Sequence, residues 1–442
     1  MASAKGFIFP CGFLPMLHGY PPRLMEGGLY ADERIRCNKP SRFVAAAIAV
    51  PQRTSPARTG PRCPMPAIAQ GGQVVKVSRR QFVCAAPAAF VGASNLSACS
   101  RVSAPEGYEA VAASTWRIGT LPDLEGGALT QELVRCATLA PSSHNTQCWR
   151  FSVEEKAIAI LPDLTRRCPA VDPDDHHMFV TLGCAAENLV QAALAHGLIA
   201  TPDFDVTRDA VRVTLAPAAA RTSPLFNAMA SRQCTRGDYD GRKVSREDLT
   251  LLERAGTSNG VRMPLLTDRL AMERVLEHVV QANTAQLADA AFVRELKSWI
   301  RFNGTDAVRT RDGLFSVSTG NPAIPAWLGE LAFGWFFTTK GENDKIARQV
   351  RNSAGIAVFV GESADKAHWV NVGRAYERFA LQATALGIRN AFLNQAVEVA
   401  AVRSTFAAAL GLSGRRPDLV VRFGRGPTLP QSLRRPVESV MV

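Results

Sequence analysis

The sequence predicts an α+β chain in which two degenerate copies of one unit are fused, with central mixed β-sheets flanked by helices. Three observations carry this. Two long helical runs rich in small and apolar residues, Met178–His196 and His368–Leu386, each follow a loop and share the spacing of their small residues. Strand-like runs accompany each of them, at 151–161 and 211–215 in the first half and at 355–360 and 417–423 in the second. At 442 residues and 47% hydrophobic, the chain is long enough to bury a core in both copies.

Charge and cysteine content narrow the classes of function. The formal charge is +12, yet residues 1–98 hold 12 Lys/Arg against 3 Asp/Glu, which leaves 39 against 36 for the rest. The basicity belongs to the leader, so nucleic acid is not an expected partner of the folded part. Ten cysteines lie between positions 11 and 234 without a C-x-x-C pair or zinc-like spacing, so no metal site is expected.

The leader has its own pattern. From Met65, Ser78-Arg79-Arg80-Gln81-Phe82-Val83 precedes a short Ala/Val/Phe run and then Leu96-Ser97-Ala98-Cys99. A basic region, an apolar stretch too short to span a bilayer and small residues before a break make the layout of an export signal. It resembles a twin-arginine signal with a lipobox, which implies a lipidated Cys99 and an exported, periplasmic or membrane-anchored protein. Residues 1–64 read as a possible mis-called start ahead of the signal at 65–98, and the alternative to export is an unused leader and a cytoplasmic chain. Residues 99–120, rich in Ser, Ala, Pro and Gly, read as a tether.

The first copy spans 121–218. Apolar positions Leu133, Val134, Ala137 and Leu139 predict a helix that Pro141 ends. Phe151-Ser152-Val153 and Ala157–Leu161 read as a hairpin, Asp172–His177 as a turn and helix start, and Val211–Leu215 as a strand. The second copy spans 222–442. Ser245 is an N-cap with acids in the next turn, Gly355–Val360 is a buried strand, and Pro417–Pro427 is a strand running into a turn. Between them, 300–340 holds two Gly/Pro-rich turns around an aromatic cluster: either a lid over a ligand, or a helix and loop that fill the interdomain core.

Between the first helix and the hairpin stands Pro141-Ser142-Ser143-His144-Asn145-Thr146-Gln147-Cys148-Trp149-Arg150-Phe151. So many hydroxyl and carboxamide groups make a poor core segment and a good ligand loop. It resembles the P-S-S-x-N-x-Q-P-W-x-F signature of the flavin-dependent nitroreductase family, with Cys148 in place of Pro. Arg232-Gln233-Cys234-Thr235-Arg236 resembles that family's R-x-S/T-x-R opening, and Trp369, Gly373 and Ala375 its central helix. Trp299-Ile300-Arg301-Phe302-Asn303 followed by Arg311-Asp312-Gly313-Leu314 is similar to the Acg-like branch, described as two fused nitroreductase-type halves with a covered flavin pocket.

The resemblance implies a nitroreductase-like fold arranged as an intramolecular pseudo-dimer, monomeric or weakly dimeric, with one FMN per chain. Cofactor contacts would come from Pro141, Ser142, Ser143, Asn145 and Gln147 of the first half, and from Arg232, Arg236, Arg434 and Arg435 of the second, where a phosphate needs several forked, charge-assisted donors. The implied reaction passes hydride from NAD(P)H through FMN to an electron-poor acceptor, a nitroaromatic or quinone. No protein nucleophile is needed, which agrees with the absence of a G-x-S-x-G elbow, a P-loop or a G-x-G-x-x-G fingerprint. The alternative is a protein that sequesters FMN under the 300–340 segment with little turnover.

Overall fold

The computed structural model describes residues 107–119, 124–412 and 414–442. The leader, Cys99 and the tether up to residue 106 lie outside the described residues. The part of the tether that is described corrects its reading: α1 (Tyr108–Thr115) is a helix, and it anchors. Tyr108 and Trp116 are buried, the first donating to Gln431 O at 2.6 Å and the second to Ser432 O at 2.8 Å. Two aromatics in a polar stretch suffice to dock it.

The first half then runs α2 (Gly126–Thr138), β1 (Trp149–Glu154), β2 (Ala157–Pro162), α3 (His176–Ala195), β3 (Leu198–Asp205) and β4 (Ala210–Pro217). Its strands form an antiparallel sheet in the order β1-β2-β4-β3. The sequence reading missed β3, because Thr201-Pro202-Asp203 looks like a turn. Proline is tolerated there since β3 is an edge strand and its lost N–H is not needed by a neighbour.

The second half holds α4 (Pro224–Ala228), α5 (Arg246–Gly256), β5 (Val261–Arg262), β6 (Leu265–Leu266), α6 (Arg269–Ala288), α7 (Ala290–Ser298), β7 (Ile300–Arg301), α8 (Gly304–Thr310), β8 (Leu314–Phe315), α9 (Ala326–Phe336) and α10 (Thr339–Arg351). Next come β9 (Gly355–Gly361), α11 (Lys366–Ala385), β10 (Arg389–Phe392), α12 (Gln395–Glu398), α13 (Ala400–Ala409) and β11 (Leu419–Gly424). Ser245 caps α5 through a 3.0 Å bond from Asp248 N, as its position predicts. The second sheet is ordered β10-β11-β9-β5, with β6 also on β9. All seven residues of β9 are buried because both faces are covered: Ala357 and Phe359 face the core around α11, while Ile356, Val358 and Val360 face a second core with α6 and α13.

The halves meet where α3 crosses α11. A Cβ on Gly183 would lie 2.0 Å from Val370 O, and one on Gly373 would lie 1.9 Å from Val180 O. The two glycines are thus reciprocal, each making room for the other helix's backbone, and Cys184 Sγ reaches Gly373 O at 3.3 Å. Four residues beyond each glycine stands a buried glutamate, Glu187 and Glu377. One apolar core runs through this crossing and includes residues of both halves. The C-terminus then returns to the first sheet: Phe151 N donates to Val440 O at 2.8 Å, and Val442 N to Phe151 O at 2.9 Å. Segment 234–235 does the same for the second sheet, with Thr235 N on Asn390 O at 2.9 Å. The chain is therefore α+β with two halves that interlock.

Candidate functional site

The loop after α2 is built from strained backbone held by distant partners. Pro141 has no N–H for the helix, so the chain leaves α2 and Ser142 is extended. His144, Asn145 and Gln147 then take φ of 48°, 54° and 55°, three of the six non-glycine residues with positive φ among those described. Each such residue costs of order 1 kcal/mol or more, so the surroundings must impose the shape. Ser142 Oγ accepts from Gln147 N at 2.9 Å and closes the turn. Asn145 Nδ2 donates to Gly313 O (3.0 Å) and Leu433 O (3.2 Å), and Gln147 Nε2 to Arg311 O (2.8 Å). Arg434 Nη1 donates to Asn145 Oδ1 at 3.0 Å, and Arg435 N to Gln147 Oε1 at 2.8 Å.

These bonds revise the expected roles. Asn145 and Gln147 are buried, and their carboxamides tie the loop to the 311–313 turn and the C-terminal segment. Gln147 and Arg435 line neither cavity described below; they hold each other, with Arg435 Nη1 also 3.7 Å from Asp163 Oδ2. Arg232, 2% exposed, donates to Leu139 O at 2.6 Å and lies 3.1 Å from the fully buried Glu377 carboxylate. Burial pushes Glu377 up to about 7, against the pull of Arg232. Arg434 is surrounded by carbonyls, among them Thr138 O (2.7 Å), Ala140 O (3.1 Å) and Leu139 O (3.2 Å), and stacks on the Trp116 ring at 4.8 Å. Burial, with Arg232 nearby, brings its pKa down to about 9. Of the four arginines, Arg236 alone is exposed and forms no ion pair among the described residues.

Two adjoining cavities sit against this loop. The larger, about 300 Å³, is lined on its polar side by Ser142, Ser143, His144, Arg236 and Arg422. Its apolar side includes Leu287, Phe292, Leu314 and Phe337. The smaller, about 50 Å³, is lined by Pro141, Ser142, Asn145, Arg232, Arg236 and Arg434, among others. Pro141, Ser142, Arg236 and Leu314 border both. The structure thus brings together every expected site residue except Gln147 and Arg435, from both halves of the chain. The 300–340 segment reaches this wall through Leu314, Thr319 and Asn321, and Gly313 N donates to Asn145 O at 3.2 Å.

Several lining groups were not among the expected cofactor contacts; His144 reads in the sequence as a spacer or weak contact and His177 as part of a turn. His144 Nε2, His177 Nε2, Gln395 Oε1 and Arg422 Nη1 are buried at the larger cavity without a protein partner. Burial, with Arg236 next, lowers His144 to about 4, so its ring is neutral near pH 7. Arg422 left a visible signal, a single cation inside the buried strand Leu419–Gly424. The α6 and α7 residues left none, because amphipathic helices of this kind are common. Two groups have metal-like composition, His144/Cys168/Glu295 and Asp172/His176/His177. Their carboxylates already serve backbone N–H groups: Glu295 takes Ala170 N (2.8 Å) and Val171 N (3.2 Å), and Asp172 takes His177 N and Met178 N, both at 3.0 Å. Both are accounted for as loop and helix caps.

No family model matches the chain. Two Mycobacterium tuberculosis proteins, whose names present them as candidate NAD(P)H nitroreductases, are similar to it. One is 25% identical over 334 residues, covering 72% of this chain and 92% of its own length. The other, Acg, is 24% identical over 322 residues, covering 70% and 93%. Among solved structures, a Bacteroides fragilis nitroreductase with bound FMN matches at 16% identity and TM-score 0.29, over 47% of this chain and 90% of that one. The FMN-dependent nitroreductase NfnB of Mycobacterium smegmatis, in complex with NADPH, matches at 13% and 0.32, over 49% and 91%.

Proposed function

We propose that this chain, similar over 70–72% of its length to two candidate NAD(P)H nitroreductases, is a nitroreductase-family protein that binds one FMN across the two cavities and passes hydride from NAD(P)H to an electron-poor acceptor such as a nitroaromatic or quinone. The observation that carries the reading is the shared border of the cavities: Pro141 and Ser142 from one half and Arg236 from the other frame both chambers.

The residues present fit such a group. In the smaller chamber, Arg236 is free to pair with a phosphate, and Arg434, which has no carboxylate partner, adds a positive field from below. Arg232 contributes less, since Glu377 balances it. In the larger chamber the orphaned polar atoms supply hydrogen-bonding capacity for a polar ring edge, while Phe292, Leu314 and Phe337 add apolar lining. When bound, the flavin supplies the hydride chemistry itself. The protein orients it: Asn145 and Gln147 keep the loop in its strained form, so that Ser142 and Ser143 stay at the cavity wall.

Purified protein with flavin absorbance that bleaches on anaerobic addition of NADPH supports this reading; protein that takes up no FMN on reconstitution overturns it. The docking of 311–321 on the loop favours a second reading, an FMN store with little turnover. Bound flavin that NADPH and NADH fail to bleach distinguishes it. The leader reading makes the protein exported, and a mass matching a diacylated Cys99 tests that.

A further inference from the structure

Arg422 is a buried cation that forms no ion pair among the described residues; the Asp238 carboxylate, itself paired with Arg348, acts on it only through space. It lies on β11, 1% exposed, at the wall of the larger cavity. Its Nη2 donates to Gly237 O at 2.8 Å and Thr235 O at 3.2 Å, and its guanidinium lies 4.1 Å from the centre of the Tyr239 ring. Nη1 has no partner, and no carboxylate pairs with it among the described residues. The two carbonyls it grips flank Arg236, so both guanidinium-bearing residues hold one corner of the cavity. Of the other buried arginines of the site, Arg232 is paired with Glu377, and each guanidinium nitrogen of Arg434 donates to a carbonyl or carboxamide oxygen, whereas Arg422 Nη1 has no such partner. An uncompensated buried charge is destabilising by several kcal/mol, so such a group persists where a ligand completes it.

The FMN reading, on which this inference rests, supplies that ligand. The phosphate is drawn to the smaller chamber, which leaves the ring system for the larger one. On two-electron reduction a flavin gains negative charge at its pyrimidine edge, and charge near N1 is what a protein uses to tune it. We infer that Arg422 contacts the pyrimidine edge of the flavin and stabilises the negative charge that develops there, beside Arg236.

Sulfite addition reads this charge without turnover. The sulfur lone pair forms a bond to N5, the displaced electron pair moves into the ring and rests on the pyrimidine edge, and no other reactant is needed. FMN-loaded wild-type protein, Arg422→Gln, Arg422→Met and Arg422→Lys are titrated with sulfite and followed by flavin bleaching. Loss of one charge-assisted contact weakens sulfite binding about tenfold or more in the two neutral variants. FMN content stays near wild type, because the phosphate is held elsewhere. Arg422→Lys keeps the charge and stays within about threefold. A neutral variant with full FMN and wild-type sulfite affinity overturns the inference alone; wild-type protein that binds no FMN overturns the inference and the FMN reading together. A purely structural Arg422 lowers the melting temperature of all three variants and leaves sulfite affinity unchanged, which also counts against it.

Discussion

Arg232 and Arg236 lie four residues apart in one motif, yet their environments predict opposite consequences of removing them. Arg232→Ala takes the only cation within ion-pair distance of Glu377 among the described residues, a carboxylate with no exposed surface, and leaves the carbonyl of Leu139 to Arg434 alone. Breaking a buried pair from one side costs about 3–5 kcal/mol, which for a chain of this size lowers the melting temperature by roughly 4–7 °C. Adding Glu377→Gln removes the stranded charge and recovers about half of that loss. Arg236→Ala changes stability by less than about 0.5 kcal/mol, since the side chain is exposed and forms no ion pair among the described residues. It weakens FMN about tenfold to hundredfold through the lost charge-assisted contact. Urea unfolding of the apoproteins and fluorescence titration with FMN separate the two effects. The reasoning fails if Arg236→Ala destabilises as much as Arg232→Ala, or if Arg232→Ala leaves unfolding untouched and only empties the site.

Other expectations follow from the same geometry. Gly373→Ala gains about 1 kcal/mol of helix propensity, but its Cβ would meet Val180 O at 1.9 Å; overpacking wins, with a net loss of about 2 kcal/mol in urea unfolding, and a stabilised variant contradicts the tight crossing. His144 is held to about 4 in the fold, so between its ordinary pKa of 6.5 and about 4 the unfolded chain takes up a proton that the folded one does not. Stability from this group is therefore complete above 6.5 and is lost as pH falls; between pH 7 and 4.5 wild type loses about 2 kcal/mol more than His144→Gln, and parallel losses refute the assignment. Asn145→Ala leaves Gly313 O without its partner and removes the ties from the loop to Leu433 O and Arg434, which keep their own mutual bond, and it lowers FMN occupancy by relaxing the loop although the side chain is not free to bind the cofactor; unchanged FMN affinity speaks against the staple.

Much of the fold was legible locally. The helix before Pro141, the β1–β2 hairpin, the capped start of α5 and the long apolar helices all follow from short-range patterns. β3 was not, because an edge strand can carry a proline that elsewhere would break it, and α1 was not, because two aromatics settle the docking of an otherwise polar stretch. At the site, the sequence shows a polar loop and a set of cations. Their roles depend on what each touches, and those partners lie between 93 and 296 positions away.

By itself, the sequence determined the local elements and which segments are polar enough to carry a ligand. Composition and spacing are enough for that, since helix ends, buried runs and glycine positions are decided by neighbours in the chain. Only the tertiary structure decided that Asn145 and Gln147 brace the loop, that Arg232 answers Glu377, that Gly183 and Gly373 face each other, and that Arg422 forms no ion pair among the described residues. Hydrogen-bond partners and desolvation are set by groups brought together from opposite ends of the chain, and no local pattern encodes them.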